Sequence, residues 1–175
     1  MTAHNGSGDG GVDLHRDLLR ANATYADGFT GAAPKLPRRR LFVVTCMDAR
    51  IDPPRLLGLE PGDAHIVRNA GGRVTDDVIR SLVLSSVLLG TRHAVVIHHT
   101  DCGLGGASDD QVRADLRGHG VDVGDMRMGA FGDLDDSVRE DVAALSAHPL
   151  AGSTIAVWGY VYDVGDGRLR GVDST

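Results

Sequence analysis

Lysine is nearly missing from this chain: Lys35 is the only one, and arginine supplies the rest of the positive side-chain charge. Acidic residues outnumber basic ones by 24 to 18, leaving a formal net charge of −6. A protein that neutralises nucleic-acid phosphates needs the opposite balance, so nucleic acid is not an expected partner. The arginine bias runs with richness in glycine, alanine and aspartate and reads as genome composition rather than function. Long apolar runs are missing too. No stretch approaches the ~18 to 20 residues that span a bilayer, so no membrane partner is expected. The opening residues, MTAHNGSGDGG, lack the apolar segment of a secretory signal, and a cytoplasmic setting is the resulting expectation. Cysteine is scarce, with only Cys46 and Cys102. In that setting a stable bridge between them is not expected, which leaves burial or chemistry as their use.

What is present is an ordinary globular composition, 42% hydrophobic and 24% charged over 175 residues, enough for one domain with a sizeable core. Residues 1–11 are small and polar and read as a disordered tail. Residues 12–39 read as a helical arm and linker, with Val12, Leu14, Leu18, Leu19 and Ala23 in imperfect helical spacing ahead of a proline-containing connector. Residues 40–175 read as the compact domain. Within it LFVVTC (41–46) is a short apolar run rich in β-branched residues, the pattern of a strand buried on both faces. AHIVRNAGG (64–72) reads as a second strand entering a Gly-Gly loop, and AVVIHH (94–99) as a third. Between them TDDVIRSLVLSSVLLG reads as a helix with Thr75 as cap, Asp76 and Asp77 at its positive end and Gly90 as stop. Its apolar residues lie nearly all round, so a largely buried helix is expected. A helix over 108–117 and another over 134–149 follow, then a long strand and a GDG hairpin into RLRGV. Alternating strands and helices with one terminal hairpin give an α/β fold: a mostly parallel sheet of four to five strands flanked by helices.

In such sheets, sites form at the carboxyl ends of the strands. Cys46 ends the first strand; His99 and Cys102 stand at the end of the third as H-x-x-C. One cysteine plus a His-x-x-Cys fits a tetrahedral zinc site with one open position, and thiolate and imidazole suit zinc better than the oxygen-seeking magnesium or calcium. His98 points to the opposite face from His99 and is expected to pack there. Asp48 and Arg50 follow Cys46 as C-x-D-x-R. A carboxylate there can accept a hydrogen bond from a metal-bound hydroxide, with the arginine holding it; a plain surface ion pair is the other reading. Two buried structural cysteines, or a closed zinc site with Asp48 as fourth ligand, also fit the spacing. Gly71 and Gly72 fit either a tight turn or a backbone that approaches a ligand.

The segments CMDAR, VRNAGG, SLVLSSVLLGT and HHTDCG, in that order over roughly residues 41–105, resemble the β-class carbonic anhydrases. The arm with YADGF is more weakly similar, and residues 106–135 do not align. The resemblance implies one zinc per chain on Cys46, His99 and Cys102, with Asp48 and Arg50 as a catalytic dyad. It implies reversible hydration of carbon dioxide to bicarbonate and a proton, with zinc-bound hydroxide attacking the carbon. It places Gly71 and Gly72 near bicarbonate. It further implies a homodimer or homotetramer in which the arm of one chain wraps another. The HHTDCG form is similar to a branch that includes carbonyl sulfide hydrolases, so that substrate is the alternative; a non-catalytic zinc-binding relative is a second. In some members the aspartate closes the site by binding zinc.

Overall fold

The computed structural model describes residues 9–149 and 155–173. One sheet of five strands organises the chain, in the order β2-β1-β3-β4-β5. Strand β1 (Leu41–Cys46) is flanked by β2 (Ala64–Asn69) and β3 (His93–His99), and β4 (Ala156–Tyr162) follows, all parallel. The last strand, β5 (Leu169–Val172), pairs antiparallel with β4 across the expected hairpin. The α/β fold with a mostly parallel sheet is therefore the one the sequence leads to expect.

The helices are α1 (Asp9–Asp27), α2 (Pro53–Leu57), α3 (Asp76–Leu89), α4 (Asp109–Gly118) and α5 (Leu134–Ala147). Residues 1–8 of the expected tail lie outside the described residues, and Asp9 to Gly11 already belong to α1. The compact unit carrying the sheet begins at Pro34, six residues before the expected start: the Arg38 and Arg39 amides bond the carbonyls of Gly62 and Asp63. The short α2 has a local cause at each end. Asp52 caps it by accepting from the Arg55 amide, prolines open it, and Gly58 closes it in the left-handed region.

The strands alternate faces, and the two faces are covered differently. On one, Phe42, Val44, Ala94, Val96 and Val161 pack against Val78 and Leu82 of α3 and Val138, Val142 and Leu145 of α5. On the other, Val43, Val95 and Ile97 meet Leu57 and Leu59 at the end of α2, while Tyr160, Tyr162 and Leu169 remain half-buried and Trp158 is exposed, stacked on His93. The large burial expected of α3 is only partly realised. Val78, Leu82, Ser85 and Ser86 face the sheet, but Leu84, Val87 and Leu88 stand exposed, because a single helix can press only one stripe onto a sheet. Thr75 holds the extended N-cap conformation but makes no side-chain capping bond.

Candidate metal centre

Strands β1 and β3 run side by side in register, Thr45 opposite Ile97, and the buried Thr45 hydroxyl donates to the Ile97 carbonyl at 2.9 Å. Their carboxyl ends therefore emerge together. Cys46 is the last residue of β1 and His99 the last of β3. Just beyond, Asp101 adopts a φ of 55°, a left-handed conformation that a short polar side chain tolerates, and Cys102 follows. The ligand atoms of Cys46, His99 and Cys102 all lie within 4.8 Å of one another. Both cysteines are free thiols, Cys46 buried and Cys102 half-buried.

The histidine is oriented for a metal. Its Nδ1 lies 2.9 Å from the Thr100 carbonyl oxygen, which can only accept, so the Nδ1 proton is fixed there. Nε2 of the neutral ring then carries a lone pair, and it is buried with no hydrogen-bond partner. A buried polar atom without a partner is costly, and a soft cation between the two sulfurs and this nitrogen removes the cost. The donor set thus fits zinc.

The electrostatics agree. Cys46 is held down to about 4, chiefly by the hydrogen bond from the Cys102 thiol, with His99 and the backbone N–H groups of Asp48 and Gly71 helping against burial. Cys102 is pushed up by the Cys46 thiolate and by burial, so the pair keeps one proton. His99 is raised, above all by the Cys46 sulfur, which acts as a neighbouring negative charge rather than a well-formed acceptor.

Asp48 and Arg50 meet as the C-x-D-x-R spacing leads one to expect. Arg50 donates from Nε to Asp48 Oδ1 at 3.0 Å and from Nη2 to Oδ2 at 2.7 Å, and its own amide donates to Oδ1 at 2.8 Å. These bonds hold the Asp48 carboxyl well below the usual carboxylate range. Asp48 Oδ2 lies 4.0 Å from His99 Nε2, at the rim of the cluster. Three residues missed in the sequence complete the frame. Asp101 binds Arg50 through its carboxylate at 2.7 Å and its carbonyl at 2.9 Å, joining the loop after β1 to the loop after β3. Arg68, present in VRNAGG without an assigned role, donates to the Cys46 carbonyl at 3.0 Å and the Asp48 carbonyl at 2.6 Å. The Leu104 N–H is directed at Cys102.

Gly71 and Gly72 lie against the cluster in left-handed conformations, with φ of 76° and 68°. A Cβ on Gly72 would sit 2.8 Å from the Cys46 nitrogen and 2.9 Å from the Thr45 carbonyl carbon. Glycine is therefore required there by backbone approach. His98 faces away from the cluster, fully buried, with Nδ1 2.7 Å from Ser137 Oγ and Nε2 3.1 Å from Asp141 Oδ2.

Comparison with known proteins places this arrangement. The sequence pattern described as carbonic anhydrase matches residues 41–121. Beta-carbonic anhydrase 1 of Mycobacterium tuberculosis is 39% identical over 156 residues, covering 89% of this chain and 96% of the relative. A protein of Acidithiobacillus thiooxidans named carbon disulfide hydrolase is 35% identical over 152 residues, 75% of this chain and 76% of that one. Among solved structures, the carbonic anhydrase of Streptococcus mutans superposes with a TM-score of 0.86 at 47% identity, covering 91% of this chain and 97% of the other.

Proposed function

Because the chain belongs to the β-carbonic anhydrase family, we propose that it is a zinc enzyme that hydrates carbon dioxide reversibly to bicarbonate and a proton, with Cys46, His99 and Cys102 as ligands. The observation that carries this reading is the buried, unpartnered Nε2 of His99 grouped with two cysteine sulfurs. Zinc held there supplies Lewis acidity, which brings the pKa of a water to about 7 and makes it a nucleophile.

The chain's own residues direct that chemistry. Asp48 stays ionised through the neutral range because Arg50 holds both its oxygens, so it acts as an acceptor. It takes a hydrogen bond from the attacking water and so turns an oxygen lone pair toward the carbon of carbon dioxide. The same fork holds the Asp48 carboxylate outside the three-residue cluster. An aspartate this acidic does not store the released proton, which passes to solvent or buffer. Gly71 and Gly72 serve the cluster by close packing, their backbone lying against Thr45, Cys46 and the Leu104 side chain. Zinc content and stopped-flow hydration measured on one sample test the reading. Stoichiometric zinc with metal-dependent hydration is expected; zinc-free reduced protein, or loaded protein without hydration, would refute it.

One observation favours a second reading, the 35% identity to a protein named carbon disulfide hydrolase. Carbon disulfide and carbonyl sulfide are linear electrophilic carbons like carbon dioxide, so the same nucleophile serves all three. Turnover of either sulfur compound faster than carbon dioxide by the same sample would favour it.

Assembly belongs to the proposal. Leu14, Leu18, Leu19, Tyr25 and Phe29 of the arm are exposed, as are Leu84, Val87 and Leu88 of α3. Apolar surface of this extent calls for a partner, and a second copy of the chain, in a homodimer or homotetramer, is the one we propose. Among the described residues no helix is long and apolar enough to cross a membrane. Two free thiols as metal ligands suit a reducing compartment, and we place the enzyme in the cytoplasm.

A further inference from the structure

Behind the metal cluster lies a group of buried polar residues that the hydration chemistry does not use. Arg73, Asp141, His98 and Ser137 are each less than a tenth exposed. Asp141, on α5, receives Arg73 Nε at 2.9 Å and Nη2 at 3.3 Å, and its Oδ2 is 3.1 Å from His98 Nε2. The Phe131 ring stacks on His98 at 5.8 Å, and the Arg73 guanidinium lies over the same ring at 5.7 Å. Glu140 adds a solvent-side partner to Arg73 at 3.1 Å.

Buried ion pairs are poor sources of net stability, because desolvation consumes most of the attraction; what they give reliably is a fixed geometry. Here the fixed segments are the two that bear on the metal ligands. Arg73 directly follows Gly71 and Gly72, and its carbonyl accepts from Asn69 Nδ2 at 2.8 Å, closing the loop whose Gly72 backbone packs against Cys46. His98 directly precedes His99 on β3. One carboxylate on α5 therefore grips both the loop behind Cys46 and the strand that carries His99.

We propose that Asp141 is a positioning residue of the metal centre, holding Arg73 and His98 so that the Gly71–Gly72 backbone stays packed against Cys46 and the His99 ring stays in register with both thiols. The inference rests on the zinc reading above. It assigns α5 and Phe131 a part in the site, although neither touches a ligand atom.

The test uses the zinc-loaded and cobalt-substituted full chain, with wild type measured alongside. Asp141→Asn keeps size and one acceptor. The pair Arg73→Met with Asp141→Leu removes both charges at similar volume, a replacement that buried ion pairs commonly survive. In the double variant, zinc release to a chelator is expected to be about tenfold faster and kcat about tenfold lower at little-changed KM, the usual scale for residues that orient ligands. The thiolate-to-cobalt charge-transfer band should move, and Asp141→Asn should fall between this variant and wild type on every readout. Folded variants with band, release rate and kcat within about twofold of wild type would overturn the proposal. If the double variant does not fold, Asp141→Asn decides alone by the same criterion. Wild type without zinc or hydration would instead overturn the zinc reading itself.

Discussion

Two aspartate–arginine pairs flank the same cluster of thiols and imidazole, and the contrast between them shows how solvent decides what an ion pair does. In Asp48–Arg50 the side chains are 18% and 47% exposed; in Asp141–Arg73 they are 6% and 8% exposed. The front pair is open to solvent, so its attraction is screened and adds little to stability, yet under the proposed mechanism its carboxylate can meet a reacting molecule. The back pair is sealed under α5 and meets no reactant. Its value is to keep backbone segments where the front needs them, and its charges cannot be separated cheaply.

The contrast breaks most sharply if one back partner is removed. Arg73→Ala leaves Asp141 buried without its cation, and we expect a loss of about 3–5 kcal/mol in urea unfolding of the metal-free protein. A loss below about 1 kcal/mol would mean that water or His98 replaces the guanidinium, and that the two pairs differ less than their burial suggests.

The matching lesion at the front has the opposite signature. Asp48→Asn keeps size and one acceptor oxygen but loses the charge that Arg50 grips. It should retain zinc and lose about 100-fold in kcat for hydration, the low end for a group that handles a proton at the reacting atom. Full activity in a zinc-replete variant would remove Asp48 from the mechanism.

These differences also explain what the sequence discloses. Cys46, Asp48 and Arg50 sit within five positions, and His99 and Cys102 within four, so spacing alone suggests two ligand-bearing turns. The apolar runs 41–46 and 94–99 mark the two strands that bring those turns together, because strands buried on both faces need continuous aliphatic stretches. The back pair has no such local signature: Arg73 and His98 lie far along the chain from Asp141 of α5 and meet it only in three dimensions. One trace was available. Val138, Asp141, Val142 and Leu145 lie at three- and four-residue spacings on the buried stripe of α5, and an aspartate on such a stripe asks for a partner. The expectation for α3 exceeds what forms because apolar residues on an exposed helix face look, in sequence, like residues that meet the core.

Proton competition for zinc sharpens the comparison, since only the front holds ligands. Zinc requires thiolates and neutral imidazole. Cys46, at about 4, is already ionised at neutral pH, whereas Cys102 is pushed up by the Cys46 thiolate and by burial and still holds a proton that zinc must displace. Apparent affinity should therefore climb as pH rises through neutrality and fall as it drops, by about tenfold or more per pH unit. Chelator competition at about pH 6, 7 and 8 reads this directly. A flat profile would mean that Cys102 gives up no proton on binding.

The smallest expected effect comes from Asp101, which anchors the outer edge of the front pair. It holds Arg50 through a carboxylate and a carbonyl, at a φ of 55° that costs most residues energy. Asp101→Asn tolerates that conformation and keeps an acceptor, so hydration should stay within about twofold of wild type. Asp101→Gly relieves the backbone and removes the carboxylate. The protein should unfold at an equal or slightly higher urea concentration, while kcat falls about threefold as Arg50 loses one anchor and Asp48 gains freedom. Stability and activity would then move in opposite directions at one position, which a purely structural contact does not allow. Unchanged activity in the glycine variant would mean that the Asp101 carbonyl alone steadies Arg50, and that the front pair is tied to β3 by backbone rather than by charge.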